Sequence, residues 1–192
     1  MSDAATDRAK AAQLPEGDVI RILLEQHARI RDLFAEVQSE SGEHRQHAFD
    51  ELRALLAVHE TAEEMVLRPV SKDVAGAAVV DARNHEEEEA TKALYEIEKL
   101  DVDSTEFLSR IADLEQAVSN HAEHEEREEF PLIIAECDED KRRAMGTKVK
   151  VAEKVAPTHP HPSAAGSPVA QYVLGPFASL LDRSRDALSA KH

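Results

Sequence analysis

The stretch His59-Glu-Thr-Ala-Glu63-Glu64-Met-Val-Leu-Arg-Pro69 returns later in the chain as His121-Ala-Glu-His-Glu125-Glu126-Arg-Glu-Glu-Phe-Pro131. Both copies follow the pattern H-x-x-x-E-E-x-x-x-x-P. Residues four apart in an α-helix lie on one face, offset by only about 40°. Each copy therefore directs one imidazole and one carboxylate the same way before a proline. The repeat predicts two metal-binding half-sites on two helices.

The composition limits what the rest of the chain can do. The 192 residues carry a net charge of −16, enough length for one domain with an appendage but a charge that disfavours nucleic acid and anionic membranes. Cys137 is the only cysteine, so an internal disulfide and a thiolate metal cluster are excluded. No apolar stretch approaches the roughly 20 residues of a membrane span, and the first residues lack a signal-peptide pattern. We expect a cytoplasmic protein.

The apolar residues recur in steps of three and four and predict an all-α fold. Helices are predicted at about residues 18–39, 43–68, 74–100 and 103–135, the last opening at a capping motif. Short connections make neighbouring helices antiparallel. Residues 18–136 are therefore predicted to form an up-down-up-down antiparallel four-helix bundle.

The flanking segments are predicted to lie outside this bundle. Residues 1–17 are polar and read as a flexible N-terminus. Residues 137–192 are predicted to form a C-terminal helical extension packed outside the bundle, interrupted by a Pro-rich linker at 157–168. The extension could bind a protein partner, and the oligomeric state stays open.

Polar residues occupy the seams on which a bundle helix normally carries Leu or Ile. They are His27, His59, Glu63, His121 and Glu125. Burying such groups without partners costs several kcal/mol each, of the order of 2–7 kcal/mol, so five of them need a common explanation. A metal centre supplies one. The third helix is phased on a stripe that includes Glu89, with His85 at its edge.

The ligand count favours two ions. Four imidazoles, two bridging glutamates, Glu89 and a solvent-derived oxo or hydroxo bridge would nearly fill two five- or six-coordinate ions. Nitrogen and oxygen ligands without sulfur suit iron better than a soft metal, with manganese less favoured. A closed zinc site would leave several ligands idle. The alternative for Glu89 is one more charge in a solvated acidic run. Neither the Glu-x-x-His spacing of ferritin-like sites nor the His-Glu-x-x-His of zinc proteases is present.

These residues resemble those of haemerythrin-like proteins carrying the HHE cation-binding domain, over about residues 18–136. The resemblance implies four antiparallel helices around a non-haem di-iron centre. It implies that His27, His59, His85 and His121 are terminal ligands and that Glu63 and Glu125 bridge the ions. Oxygen-carrying members have a fifth histidine where this chain has Glu89. A further carboxylate favours the ferric state and disfavours reversible oxygen carriage.

Three functional hypotheses follow. The first is a di-iron protein that binds or reacts with peroxide, oxygen or nitric oxide, with a preference for peroxide and a catalase-like activity as its enzymatic form. The second is a non-enzymatic iron or oxygen sensor or carrier that signals through a partner protein. The third is a structural scaffold that binds metal only adventitiously.

Overall fold

The computed structural model describes residues 3–155, and the regular structure in this part of the chain is entirely helical. The helices are α1 (Ala4–Ala11), α2 (Val19–Ser39), α3 (Gly42–Ala62), α4 (Arg68–Val74), α5 (Ala77–Ile97), α6 (Thr105–His124), α7 (Phe130–Glu136) and α8 (Glu139–Val155). Two π-helical turns, Glu63–Leu67 and Glu125–Glu129, join α3 to α4 and α6 to α7. The four long rods α2, α3–α4, α5 and α6–α7 confirm the predicted all-α bundle. Within this part of the chain, no helix combines the length and the apolar character that a bilayer span requires.

Local sequence sets where these helices begin. The Asp18 carboxylate accepts a hydrogen bond from the Ile20 amide at 2.9 Å, and the Ser104 hydroxyl accepts one from the Phe107 amide at 3.1 Å. These caps satisfy amides that have no partner inside the helix. Gly76, with φ of +93°, precedes α5 and allows the sharp turn out of α4.

The two prolines of the repeat account for the two π-helical turns. Pro69 and Pro131 have no amide hydrogen, and the proline ring clashes with the carbonyl four residues earlier in a regular α-helix. The helix widens instead, so that the Arg68 amide donates to the Glu63 carbonyl and the Phe130 amide donates to the Glu125 carbonyl. Such turns return the fifth residue after each glutamate to the glutamate's own face.

The apolar core is divided into two clusters with a polar layer between them. One cluster lies around Leu23, Leu67 and Ile133 and includes residues of α8. The other lies towards the opposite end of the bundle, where Phe49 and Phe107 pack edge to face with ring centroids 5.0 Å apart. Each half of the repeat enters the intervening layer, which holds the candidate site.

Helix α1 corrects the expectation that residues 1–17 are a flexible N-terminus. Asp7 on this helix is fully buried and accepts a hydrogen bond from the Arg31 guanidinium on α2 at 2.8 Å. Ala11 is buried in the first apolar cluster. Two further ion pairs, Arg8 with Asp32 and Lys10 with Glu126, also join the segment to the bundle. Because ion pairs supply much of this contact, the segment lacks the apolar periodicity by which a packed helix is normally recognised.

Helix α8 packs against the outside of the bundle near the start of α2. Its Arg142 donates to the Asp18 carboxylate at 2.7 Å, and Met145 and Val149 are buried. Gly146 allows a close approach, because a Cβ there would lie 2.1 Å from the Gly17 carbonyl oxygen. The predicted Pro-rich linker at 157–168 and the rest of the extension lie outside the described residues.

Candidate metal centre

The structure brings five of the seven predicted ligands together in the bundle core. They are His27 on α2, His59 and Glu63 from the first copy of the repeat, and His121 and Glu125 from the second. Both glutamates are completely buried, and the three imidazoles are nearly so, with the side chain of His121 11% exposed. Buried charges of this kind require a shared partner.

The ligand atoms form two groups that share both glutamates. One group contains His27 and His59, and the other contains His121 and Glu87; within each group, candidate ligand atoms lie within 4.8 Å of one another. Glu87, on α5, is 6% exposed. Two adjacent cation subsites with two common carboxylates are therefore available.

The distances divide the oxygens of each shared glutamate between the two groups. Glu63 Oε1 lies 3.5 Å from His59 Nε2, and its Oε2 lies 3.8 Å from His121 Nε2. Glu125 Oε2 lies 3.4 Å from His27 Nε2, and its Oε1 lies 3.3 Å from His121 Nε2. Each carboxylate thus points one oxygen towards each subsite. This is the arrangement that a bridging carboxylate needs.

Each of the three imidazoles is fixed through its other nitrogen. His59 Nδ1 lies 2.7 Å from the side-chain oxygen of Gln26. His27 Nδ1 lies 3.3 Å from Glu126, and His121 Nδ1 lies 3.0 Å from Glu86. An acceptor at Nδ1 selects the tautomer that leaves Nε2 free for a metal, as is usual for histidine ligands.

His85 and Glu89 are not part of this cluster, and their prediction as ligands is corrected here. Both are exposed and line a surface groove between α5 and α6. Each lies two residues from Glu87, which is a rotation of about 200° around the helix. The predicted stripe that contains Glu89 also contains small residues such as Ala82, and these are exposed in the structure. Helix α5 buries charged residues that have partners inside the bundle, so the stripe of small residues indicates the wrong face.

A buried guanidinium lies among the carboxylates. Arg68, the residue before the first proline of the repeat, is 3% exposed and contacts Glu63, Glu87, Glu125 and Glu129. Burial would lower the pKa of Arg68, but these carboxylates outweigh it and raise that pKa further. Arg68 therefore carries a permanent positive charge at the centre of the bundle.

The histidines respond differently to the same surroundings. Burial disfavours the charged form of His27, but its contacts with Glu125 and Glu126 outweigh burial and raise its pKa to about 9. The pKa of His121 is raised well above its usual value because Glu125 and Glu63 outweigh burial. Burial and the nearby charge of His27 hold the pKa of His59 well below its usual value. Cation binding must therefore displace protons from two of the three imidazoles.

The carboxylates show the corresponding shifts. Burial and the neighbouring charge of Glu125 raise the pKa of Glu63, and burial raises the pKa of Glu87 despite Arg68. Burial would also raise the pKa of Glu125, but His121 and Arg68 outweigh it and hold that pKa well below its usual range. Two carboxyl groups with a raised pKa beside one with a lowered pKa indicate a cluster with more negative than positive charge.

Several buried atoms of the cluster have no hydrogen-bond partner. They are His27 Nε2, His121 Nε2, Glu63 Oε1, Glu87 Oε2 and Glu125 Oε2. Buried polar atoms are normally paired, and all of these belong to groups that can ligate a cation. The residues present therefore fit a metal centre.

A partly open cavity of about 60 Å³ adjoins the cluster. His27, His59 and His121 border it on one side, while apolar residues such as Phe34 and Leu114 form much of the remainder. A cavity needs roughly 10–15 Å³ to admit one water, so this one admits a molecule of two or a few heavy atoms.

Glu87 and Arg68 belong to the cluster but are not predicted from the sequence pattern. Glu87 lies seven residues from both Val80 and Leu94, which are buried on the same helix, and that heptad spacing indicates the inner face. Arg68 gives no comparable indication, because it reaches the core only through the π-helical turn.

A sequence profile described as the hemerythrin HHE cation binding domain matches residues 18–133. The chain belongs to this family. The matched region contains both copies of the repeat and all of the clustered residues, from His27 to Glu125. Membership implies that the His and Glu cluster binds a cation.

Two relatives and one solved structure resemble the chain. An uncharacterized hemerythrin-like protein of Schizosaccharomyces pombe is 26% identical over 136 residues, which are 69% of this chain and 67% of that protein. A DNA nickase of Nostoc is 25% identical over 80% of this chain, but the match spans only 43% of the nickase. The crystal structure of a hemerythrin HHE cation binding domain-containing protein from Mycobacterium kansasii shares the fold, with a TM-score of 0.65 and 18% identity over 85% of this chain and 96% of that one.

Proposed function

We propose that the chain is a non-haem di-iron protein that reacts with a small oxidant, preferentially hydrogen peroxide. The observation that carries this proposal is the division of the oxygens of Glu63 and Glu125. One oxygen of each faces His27 or His59, and the other faces His121. Two cations that share two carboxylates require this division. His27 and His59 would hold one ion, and His121 and Glu87 the other.

The donor atoms favour iron. They are imidazole nitrogens and carboxylate oxygens, a set that suits iron or manganese rather than a thiophilic metal. The single cysteine, Cys137, is buried in the first apolar cluster and does not belong to the donor groups. Family membership adds weight to iron, and manganese is the second choice.

The bound iron pair would supply the electrons or the Lewis acidity that reaction with peroxide or oxygen needs. The protein contributes a small, largely apolar cavity beside the three imidazoles, which limits the size of the reactant. Glu87 contributes a third carboxylate, in the role that the sequence analysis gave to Glu89. Its negative charge favours the more oxidised metal, which reacts with peroxide but does not carry oxygen reversibly. Peroxide is therefore preferred over oxygen as the reactant.

The proposal is tested by loading the full chain anaerobically with Fe(II), measuring iron per chain, and following oxygen release from peroxide with an electrode. Two peroxide molecules give two waters and one dioxygen. Release that exceeds that of free iron, and that disappears in the Glu63→Gln variant but persists in Glu89→Gln, supports the proposal. Glu89 is a suitable control because its side chain is 59% exposed. A chain that binds no iron would disprove it.

The alternative is a non-enzymatic iron or oxygen sensor or carrier, and one contact favours it. Gln26 accepts from His59 and donates to Glu153 on α8 at 2.8 Å. A change at the site could thus reach the C-terminal extension, where a protein partner could bind. Hydrogen exchange of α8 amides in the loaded and metal-free chains tests this. Altered protection without oxygen release from peroxide would favour the sensor.

The name of the Nostoc relative does not extend to this chain. Action on DNA is favoured by basic surfaces that neutralise phosphates, whereas this chain carries a net charge of −16. We propose no nucleic-acid partner.

A further inference from the structure

Arg68 uses its two terminal nitrogens for two different purposes. Its Nη2 contacts the oxygens that face the second subsite, with Glu125 Oε1 at 2.6 Å, Glu63 Oε2 at 3.2 Å and Glu87 Oε1 closer still. Its Nη1 lies 3.3 Å and 3.2 Å from the two oxygens of Glu129. The guanidinium therefore joins the candidate ligands to a carboxylate outside both donor groups.

The oxygens bound by Nη2 are also the ones that face His121. Nε2 of His121 lies 3.3 Å from Glu125 Oε1, 3.6 Å from Glu87 Oε1 and 3.8 Å from Glu63 Oε2. A cation bound by His121 and these oxygens would compete directly with the Arg68 guanidinium. The guanidinium of Arg68 therefore already places one positive charge at this subsite.

The other subsite has no guanidinium. The raised pKa values of His27 and His121 mean that each subsite releases one proton, so this cost does not separate the two. His27 Nε2, Glu63 Oε1 and Glu125 Oε2 are buried and have no hydrogen-bond partner. The remaining donor there, His59 Nε2, lies 3.5 Å from Glu63 Oε1. These four atoms can bind a cation without breaking an existing hydrogen bond, and the cation would satisfy atoms whose burial is otherwise unfavourable.

We propose that Arg68 makes the two subsites unequal and sets the order in which they fill. This inference rests on the proposed two-cation function. The subsite of His27 and His59 fills first while Arg68 continues to neutralise the second. Binding at His121 and Glu87 then requires Nη2 to withdraw from its three oxygens, while Nη1 retains Glu129.

The difference in affinity between the two subsites can be estimated from these contacts. Binding at the second subsite breaks charge-assisted hydrogen bonds that binding at the first leaves intact, and such bonds are stronger than neutral ones. It also brings a divalent cation close to a guanidinium that cannot lose its proton. We expect the second dissociation constant to exceed the first by about tenfold or more.

The experiment is a calorimetric titration of the metal-free full chain with Mn(II), and separately with Co(II). Metal analysis after dialysis gives the number of ions bound per chain. Wild type should bind two equivalents in two resolved steps. His27→Ala should abolish the tighter step, and His121→Ala should abolish the weaker one. Arg68→Met, which keeps a side chain of similar length without the charge, should bring the two constants together by about tenfold.

A second variant has the opposite expected sign and does not depend on the folding of Arg68→Met. Glu129→Gln removes the anchor that retains the guanidinium when it withdraws. The weaker step should therefore weaken further, while the tighter step stays within about twofold of wild type. An unchanged weaker step in Glu129→Gln would count against the inference.

The outcomes separate this inference from the proposed function. Two equal constants in wild type, or tighter binding at His121 than at His27, would overturn the role of Arg68 and leave the two-cation site intact. A chain that binds neither cation would remove both proposals. Two unequal steps that Arg68→Met leaves equally far apart would assign the inequality to another residue and overturn the inference.

Discussion

The hydrogen bond between Gln26 and His59 provides the sharpest test of how the bundle prepares its metal centre. Gln26 is 9% exposed, and its side-chain oxygen lies 2.7 Å from His59 Nδ1. This bond fixes the tautomer in which Nε2 faces Glu63. The substitution Gln26→Leu keeps the volume approximately and removes the acceptor. We expect this substitution to lower the affinity for the first bound cation.

The magnitude follows from the loss of a buried partner. An unpaired buried N–H costs about 1–3 kcal/mol, and His59 would relieve that cost by rotating or by moving its proton to Nε2. Either response competes with metal binding. Loss of such an outer partner typically lowers metal affinity about 10- to 100-fold, which corresponds to about 1.4–2.7 kcal/mol. The Gln26→Leu dissociation constant should rise within that range.

The assay is calorimetric titration with Mn(II), and the chain offers a matched control. Gln38 lies on the same helix and is exposed, and its amide donates to Glu115 at 2.8 Å. Gln38→Leu should leave the affinity within about twofold of wild type. Gln26→Glu retains an acceptor for His59 and should restore most of the affinity. If Gln26→Leu lowers thermal stability but leaves the dissociation constant unchanged, the bond serves packing alone and the reasoning is refuted.

Four further perturbations have defined outcomes. Glu87→Gln should weaken the second bound Mn(II) about tenfold or more, whereas Glu89→Gln should leave both steps unchanged. The metal-free chain should lose stability to urea as pH rises from about 6.5 to 9, because the raised pKa of His27 stabilises the fold only while the imidazole stays protonated; constant stability over that range would contradict it. Chelation of the metal should lower the melting temperature, since ligand binding stabilises the folded state. Gly146→Ala should cost about 1–3 kcal/mol in urea denaturation, because its Cβ would meet the Gly17 carbonyl.

The sequence could predict the bundle and five clustered residues because these depend on short-range geometry. A histidine and a glutamate four residues apart share a helix face in any fold, so His59 with Glu63 and His121 with Glu125 needed no tertiary information. His27 followed from its position on the strongly amphipathic helix α2. The five residues meet at one level of the bundle because short connections make neighbouring helices antiparallel.

The third long helix could not be phased in the same way. Helix α5 buries Arg83 and Glu87 beside Val80 and Leu94 and exposes Ala82, so charge does not mark its outer face. Arg83 is held by Glu86 at 3.1 Å, and Glu87 is held by Arg68. Charged residues in a helix normally face solvent, and sequence patterns predict the buried face on that basis. That prediction fails where charges neutralise one another inside the protein, which is the situation around a metal centre.

A difference between the two copies of the repeat explains why the two subsites are unequal. Eight and nine positions after the histidine, the first copy has Leu67 and Arg68, whereas the second has Glu129 and Phe130. All four are buried, and Arg68 pairs with Glu129 while Phe130 stacks on His27 with centroids 5.8 Å apart. A symmetric pair of arginines at these positions would repel, and a symmetric apolar pair would leave the surplus of carboxylates without a counter-charge.

The two copies therefore have the same candidate ligands but differ in the residues that follow them, just before the proline. One copy supplies a permanent cation on the side of His121, and the other supplies both its anchor, Glu129, and an aromatic wall for His27. Both arrangements require the π-helical turn, because only the widened helix returns Arg68 and Phe130 to the ligand face. The proline that ends each copy thus sets the geometry, and the residue before it determines which subsite is open to the first cation.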